Sequence, residues 1–182
     1  MATEVKRETA VSFLTTPVTE AHFLTPEQFT DEQKSIREAA ETFIQRDVLP
    51  LSEAIEAQEP GVMPSLLKKA GDQGLLMVDI PEAYGGAELG MIVSALVAQE
   101  MRQASFAVAQ GAHTTIGTLP IVFYGTEEQK RTYLPRLATG EILGAYALTE
   151  PGVGSDAMSI STRAQLSPDG KHYILNGAKQ WI

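Results

Sequence analysis

The apolar residues from about position 30 to position 140 recur every three or four residues, the spacing of amphipathic helices. This pattern predicts a first helix from Asp31 to about Leu49, because Pro50 must bend or end it. The buried face of this helix is expected to contain Ile36, Ala40, Phe43, Ile44 and Val48. Further helices are predicted over residues 64–73, 91–104, 105–117 and 126–137.

Two T-x-x-Q patterns mark the beginnings of helices. Thr30 with Gln33, and Thr126 with Gln129, have the spacing of a capping box, in which the threonine hydroxyl and the glutamine amide oxygen each accept a backbone N–H. The apolar run 119–124 precedes the second box and is expected to be buried.

The pattern changes after Gly140 from helical spacing to strands. Strands are predicted over residues 142–148, 159–166, 172–175 and 179–182. Residues 167–170 (Ser-Pro-Asp-Gly) predict a turn, and Asn176-Gly177 is a strong hairpin signal. The chain is therefore predicted to be α+β, with helices first and antiparallel strands after them.

We expect three regions: an N-terminal arm over 1–25, a helical domain over 26–140, and the beginning of a β domain over 141–182. The arm has no clear periodicity. It is expected to be poorly ordered or to lie on another surface through Phe13, Leu14, Phe23 and Leu24. Because two or three strands are not stable alone, and no cap or turn follows Trp181-Ile182, we expect the chain to be the front part of a longer protein.

Composition narrows the possible functions. The net charge of -9 argues against binding nucleic acid through clustered basic side chains, and no apolar run is long enough for a membrane helix. The chain has no cysteine, and His22, His113 and His172 are too scattered to predict a metal site. The N-terminus resembles neither a secretory signal nor a transit peptide, so a cytoplasmic location is expected.

The loop that follows the predicted 142–148 strand concentrates polar groups. Thr149 and Ser155 can each donate and accept a hydrogen bond, while Gly152 and Gly154 let the backbone turn sharply or approach a ligand closely. Such a loop could hold a flat ligand that has polar edges and a phosphate. Its composition alone favours the simpler interpretation, a tight turn.

Three sequence blocks resemble the acyl-CoA dehydrogenase family. They are Pro81-Glu82-Ala83-Tyr84-Gly85-Gly86, then Tyr146 to Asp156 (Y-x-x-T-E-P-x-x-G-S-D), then Asn176 to Ile182 (N-G-x-K-x-W-I). The resemblance extends over nearly the whole chain from about Phe29. The segments 111–117, 133–140 and 167–177 are most similar to the long-chain and very-long-chain branch of the family.

The resemblance implies a helical N-terminal domain, a β-barrel-like middle domain and a C-terminal helical bundle, assembled into homodimers or homotetramers. It implies FAD as the cofactor and an acyl-CoA thioester as the substrate, which loses an α proton and a β hydride to become a trans-2-enoyl-CoA. The electrons would pass to an electron-transfer flavoprotein.

Carried over by position, the resemblance assigns cofactor binding to Tyr146, Leu148, Thr149, Gly154, Ser155, Trp181 and Ile182. Ser155 would also lie near the CoA part of the substrate, and Trp181 would lie along the flavin ring. The catalytic base of most members is a glutamate in the C-terminal domain, so no catalytic residue is expected in this chain. Glu150 is expected to support the loop by hydrogen bonding.

Two features leave alternatives open. Val153 stands where the family more often has Gly, Ser, Ala or Asn, and it fits only if its φ is negative and there is room for its side chain. Considered alone, Trp181 could be an ordinary core residue. At the level of function, an acyl-CoA oxidase and a non-catalytic helical scaffold with the same fold remain the alternatives.

Overall fold

The computed structural model describes residues 25–182, and in these residues the helices precede the strands. The α-helices are α1 (Asp31–Phe43), α2 (Ser52–Glu56), α3 (Val62–Asp72), α4 (Gly90–Glu100), α5 (Ala104–Ala112), α6 (Leu119–Tyr124) and α7 (Glu127–Ala138). The strands are β1 (Arg163–Leu166) and β2 (Tyr173–Asn176), which pair antiparallel. This order confirms the predicted α+β class. The expected N-terminal arm, including Phe13, Leu14, Phe23 and Leu24, lies outside the described residues except for Thr25.

Both predicted capping boxes are present. The Thr30 and Thr126 hydroxyls each accept the N–H of the glutamine three residues on, at 3.2 Å. The Gln33 and Gln129 side chains accept the threonine N–H groups at 3.0 and 2.8 Å. The boxes therefore fix where α1 and α7 begin, at Asp31 and Glu127.

The main core lies between α1, α3, α4 and α5. The predicted face of the first helix is confirmed, since Ala40, Phe43, Ile44 and Val48 are fully buried and Ile36 packs against them. The Phe43 ring packs at a tilt against the ring of Phe106 from α5, with 5.8 Å between centroids. The predicted bend or end of this helix at about Leu49 takes the form of a change in helix type, which begins earlier, after Phe43.

Regular α-helix stops at Phe43, and the chain continues through a π turn (Ile44–Val48) and a 3₁₀ turn (Leu49–Leu51) into α2. A 3₁₀ turn admits Pro50 near its start because the first N–H groups of a helical element have no partner inside it. The proline therefore changes the type of helix without ending the helical path.

A smaller core lies under α7. Ile80, Leu134, Leu137 and Ala138 are buried there, next to the loop that contains the Gly85-Gly86 pair. Gly85 has φ +80°, and a Cβ on Gly86 would overlap the carbonyl oxygen of Ile80. Both glycines are thus required by the backbone, one by its conformation and the other by a close approach.

Two predictions about the helical part were wrong in detail. The helix predicted over 91–104 ends at Glu100, and the apolar Met91 near its start is 85% exposed. The run 119–124 forms α6, but Phe123 and Tyr124 are 66% and 87% exposed. Apolar residues alone do not predict burial for a short helix at the surface.

The strands differ more from prediction. The β1–β2 hairpin is in register from Arg163 with Asn176 to Leu166 with Tyr173, and the predicted turn over 167–170 lies within the loop 167–172 that joins the two strands. No strand forms over 142–148 or 179–182 in the described chain, and Asn176-Gly177 makes no hairpin turn. A strand requires a ladder of backbone hydrogen bonds to a neighbouring segment, and the bond from the Gln180 N–H to the Thr149 carbonyl oxygen does not by itself make one in the described chain.

The close approach of Gly86 to the Ile80 carbonyl gives a stability prediction. Gly86→Ala must push the Ile80 carbonyl aside, and overpacking of this kind costs about 1–3 kcal/mol. Gly111→Ala is the matched control, since a Cβ there meets nothing within 4 Å, and alanine in a helix is favoured by about 1 kcal/mol. Urea unfolding of the purified protein should show opposite shifts of the midpoint. Equal midpoints for the two variants would contradict this packing.

Candidate functional site

The segment over residues 142–149 leaves the helical part at a tight backbone contact. A Cβ on Gly117 would lie 2.8 Å from the carbonyl carbon of Gly144, and a Cβ on Gly144 would lie 3.2 Å from the Gly117 Cα. Gly117 ends the π turn His113–Gly117 that continues α5. Two glycines facing each other let the segment lie directly against this turn.

The imidazole of His113 stabilises the same contact between the segment and the helical part. It is fully buried, its Nε2 lies 2.9 Å from the Leu137 carbonyl oxygen, and its Nδ1 accepts the N–H of Gly144 at 3.0 Å. An amide N–H can only donate and a carbonyl can only accept, so the proton is on Nε2. Burial lowers the pKa of His113, which keeps the ring neutral as this arrangement requires.

Beyond Gly144 the segment exposes its backbone and side chains. In the described part of the chain, the N–H groups of residues 145–149 have no hydrogen-bond partner. Tyr146 is 48% exposed, while Leu148 and Thr149 are partly buried. The Leu148 and Thr149 carbonyls do have partners, the Lys179 ammonium and the Gln180 N–H, both at 2.9 Å. The N–H donors of this segment are thus unpartnered in the described chain, while two of its carbonyl acceptors are held by residues 179–180.

Glu150 is the centre of the polar contacts after this segment. Its side chain is buried, and one carboxylate oxygen accepts the N–H and the hydroxyl of Ser161, both at 2.7 Å. The other oxygen accepts the Thr162 N–H and the Lys179 ammonium, both at 3.0 Å. These donors, the Ser161 hydroxyl foremost, hold the pKa of Glu150 far below its ordinary value. The expectation that Glu150 supports the loop agrees with these contacts.

The tight turn after Glu150 accommodates Val153. Glu150 and Val153 exchange both backbone hydrogen bonds at 3.0 Å, and Val153 has no positive φ. The valine therefore fits this turn without strain. Gly152 and Gly154 also lack positive φ, and a Cβ on either would meet nothing within 4 Å. Neither conformation nor packing within the described chain requires these glycines, so open approach to the backbone is the property they provide.

The remaining predicted residues are at the surface. Ser155 is exposed without a hydrogen-bond partner in the described chain, and Asp156 precedes a short 3₁₀ turn and accepts the hydroxyl of Ser159. Trp181 and Ile182 are 85% and 77% exposed, and Trp181 has φ +62°. Trp181 is therefore not buried among the described residues.

The structure brings together two of the sequence blocks. The pair of Glu150 and Lys179, with the Gln180 N–H, joins residues 148–150 to residues 179–180, so Thr149 and Trp181 belong to one neighbourhood. The third block stays in the helical part, where Tyr84 donates to both carboxylate oxygens of Glu127 at 3.0 Å. Two participants were missed by sequence reasoning, Lys179 and His113. Lys179 had a signal in the N-G-x-K block, whereas His113 had none.

The surface left open by this arrangement fits a flavin. A flavin needs hydrogen-bond donors at its pyrimidine edge and a flat apolar surface beside its ring. The free N–H groups of residues 145–149 and the unpartnered Thr149 hydroxyl offer the first. The exposed Trp181 indole offers the second, and the open space at Gly154 admits close approach of a ligand.

Comparison with known proteins identifies two domains of one family. Residues 30–141 match the family described as acyl-CoA dehydrogenase, N-terminal domain, and residues 145–182 match acyl-CoA dehydrogenase, middle domain. The chain is 53% identical over 171 residues to a probable acyl-CoA dehydrogenase of Bacillus subtilis (strain 168), covering 93% of this chain and 29% of that protein. It is 38% identical to the mitochondrial isovaleryl-CoA dehydrogenase of Bos taurus, covering 84% of this chain and 36% of that protein.

A solved structure gives the same result. The crystal structure of an acyl-CoA dehydrogenase from Bacillus anthracis, complexed with FAD, superposes with a TM-score of 0.83 at 53% identity, covering 87% of this chain and 27% of that one. The chain thus spans between about a quarter and two fifths of the length of its relatives. Among residues 25–182, no helix has the length and apolar character needed to cross a membrane, and no three His, Asp or Glu side chains are grouped for a metal ion.

The environment of Glu150 predicts how stability depends on pH. Because its pKa is lowered on folding, its contribution is complete above its ordinary value of about 4.5 and is lost as the pH falls from there toward the folded pKa. Glu150→Gln should therefore be less stable than wild type at neutral pH, and this difference should shrink below pH 4.5. Urea unfolding at a series of pH values measures it.

Glu38→Gln is the control, because Glu38 is exposed and has no ion pair or hydrogen bond from its side chain in the described chain. It should leave the pH dependence of unfolding unchanged. A stability difference for Glu150→Gln that stays constant down to acid pH would contradict the carboxylate environment described above.

Proposed function

The chain belongs to the acyl-CoA dehydrogenase family, and we propose that the whole protein is an FAD-dependent acyl-CoA dehydrogenase. Its reaction would convert an acyl-CoA thioester into the trans-2-enoyl-CoA, the first oxidation of fatty acid β-oxidation. This chain would contribute the helical domain over 26–140 and the beginning of the middle β domain over 141–182. The observation that carries the proposal is the junction of residues 148–150 with residues 179–180 through Glu150 and Lys179.

The residues on the open side of this junction would hold the cofactor. We assign FAD binding to Tyr146, Leu148, Thr149, Gly154, Ser155, Trp181 and Ile182. When bound, FAD supplies the acceptor for the hydride that leaves the β carbon of the substrate. The backbone N–H groups of 145–149 and the Thr149 hydroxyl would orient the ring by donating to its polar edge and would stabilise negative charge there.

Three exposed residues, Trp181, Gly154 and Ser155, would each contribute to the site in a different way. The Trp181 indole, exposed in this chain, would cover one side of the ring and exclude water from it. Gly154 would let the backbone approach the cofactor, because no side chain stands above it. The Ser155 hydroxyl has no partner in the described chain, and we assign it a second role beside the CoA part of the substrate.

No residue of this chain is proposed as the catalytic base. Glu150 is unsuitable because four donors occupy its two oxygens and its lowered pKa makes it a poor proton acceptor. The base would come from a C-terminal helical domain, as the family resemblance implies. The relatives extend well beyond the part that this chain matches, which leaves room for such a domain.

The wider context is part of the same proposal. An electron-transfer flavoprotein would accept the electrons, and the protein would act as a homodimer or homotetramer in the cytoplasm. Two observations bear on the acyl chain. The segments 111–117, 133–140 and 167–177 favour the long-chain and very-long-chain branch, whereas a mitochondrial relative is an isovaleryl-CoA dehydrogenase. Comparing kcat/KM for palmitoyl-CoA with that for isovaleryl-CoA decides between them.

Flavin reduction is the direct test of the function. The purified protein supplied with FAD should show the visible flavin absorbance, and an acyl-CoA added without oxygen should bleach it. Absence of bound flavin would favour the non-catalytic scaffold and overturn the proposal. Hydrogen peroxide formed in proportion to turnover, in place of reduction of an electron-transfer flavoprotein, would identify an acyl-CoA oxidase.

The Thr149 hydroxyl gives a residue-level test. Thr149→Val keeps the side-chain shape and breaks no hydrogen bond within the described chain, yet it should raise the Kd for FAD about tenfold by removing one donor. Thr132→Val is the matched control, because Thr132 is exposed on α7 and its side chain makes no hydrogen bond within the described chain. Equal FAD affinity of the two variants would contradict the assignment of Thr149.

A further inference from the structure

The proposed flavin segment is held at two ends only. From residue 145 to residue 147 it makes no backbone hydrogen bond within the described chain. At the far end, Lys179 and Gln180 hold the carbonyls of Leu148 and Thr149. At the near end, the N–H of Gly144 is bound by the His113 ring. The positions of Tyr146 and the free N–H groups between these points therefore depend on both anchors.

The near anchor is built more firmly than a surface hydrogen bond. The His113 side chain is fully buried, and its backbone carbonyl accepts the Thr118 hydroxyl at 2.6 Å, five residues on. This bond spans the π turn His113–Gly117, a type of insertion that widens a helix and often occurs at functional sites. The wide turn places the histidine ring between the end of α7 and Gly144.

The His113 ring can act as a rigid spacer between the Leu137 carbonyl and the Gly144 N–H. Its Nε2–H donates to Leu137, which belongs to α7, and its Nδ1 accepts from Gly144. One rigid five-membered ring thus sets the distance from the helical core to the segment. Tyr146 follows Gly144 by two residues, which is about 7 Å along an extended chain. A displacement of Gly144 would be passed to the residues that meet the cofactor.

We propose that His113 is a positioning residue of the cofactor site, which fixes the 144–149 segment to the helical domain through Gly144. The proposal rests on the proposed function, because it takes this segment to be a wall of the flavin site. No sequence block assigned to the cofactor contains His113, and within the described chain the ring makes no hydrogen bond to any of the seven residues assigned there.

Two substitutions separate positioning from plain packing. In His113→Asn the side-chain oxygen can take the place of Nδ1 and accept the Gly144 N–H, while the bond to Leu137 is lost. In His113→Gln the amide nitrogen can take the place of Nε2 and donate to Leu137, while the Gly144 N–H is left without its acceptor. Each variant lacks one of the two buried hydrogen bonds that the His113 ring makes in the wild type, so similar falls in Tm are expected.

Amide hydrogen exchange of the protein without added FAD tests the anchor itself. Exchange of the Gly144 amide, followed by NMR, should become at least about tenfold faster in His113→Gln and stay near wild type in His113→Asn, because within the described chain Gly144 alone among residues 144–149 has a partner for its N–H. If the two variants exchange alike in this segment, His113 does not position it. This readout is independent of flavin binding and so remains decisive even if the proposed function fails.

Flavin binding then tests the consequence. In His113→Gln the Kd for FAD should rise about tenfold and the visible flavin spectrum should shift, while His113→Asn restores both toward wild type. If His113→Asn and His113→Gln lose FAD affinity to the same extent, in line with similar falls in Tm, His113 has a merely structural role and the proposal is overturned. A wild-type protein that binds no flavin would instead overturn the proposed function and leave the exchange result standing.

Discussion

The buried carboxylate of Glu150 is the interaction on which the candidate site depends. A buried charge is tolerated only when hydrogen bonds and an opposite charge surround it, and here four donors do so. These donors come from Ser161, Thr162 and Lys179, three positions far from Glu150 in sequence. By collecting them, one side chain sets where the loop, the approach to β1 and residues 179–180 lie relative to one another.

This arrangement separates support from recognition. The groups that hold the backbone in place, Glu150, Lys179 and His113, have their hydrogen bonds satisfied inside the chain. The groups proposed to meet FAD, among them the Thr149 and Ser155 hydroxyls, have none within the described residues. A preorganised site needs both kinds, because donors assist a cofactor only when their positions are already fixed.

Sequence reasoning succeeded where the signal was local. The capping boxes at Thr30 and Thr126 and the buried face from Ile36 to Val48 depend on residues within one or two turns, and the structure confirms them. The predicted 142–148 strand was wrong because strand formation depends on a partner elsewhere in the chain. His113 was missed for a similar reason, since its partners, Leu137 and Gly144, lie 24 and 31 residues away. The family resemblance supplied the assignments at Thr149 and Trp181, which local patterns left open between ligand contact, turn and core.

The FAD dissociation constant of Glu150→Gln tests most directly whether this carboxylate organises the site. The substitution keeps the size of the side chain but removes the charge that Lys179 and the other donors surround, so the contact between residues 148–150 and 179–180 loses its ion pair and should be held less firmly. The account predicts a Kd for FAD at least about tenfold above that of wild type, with Glu38→Gln unchanged. An unaltered Kd in a folded Glu150→Gln protein would contradict it.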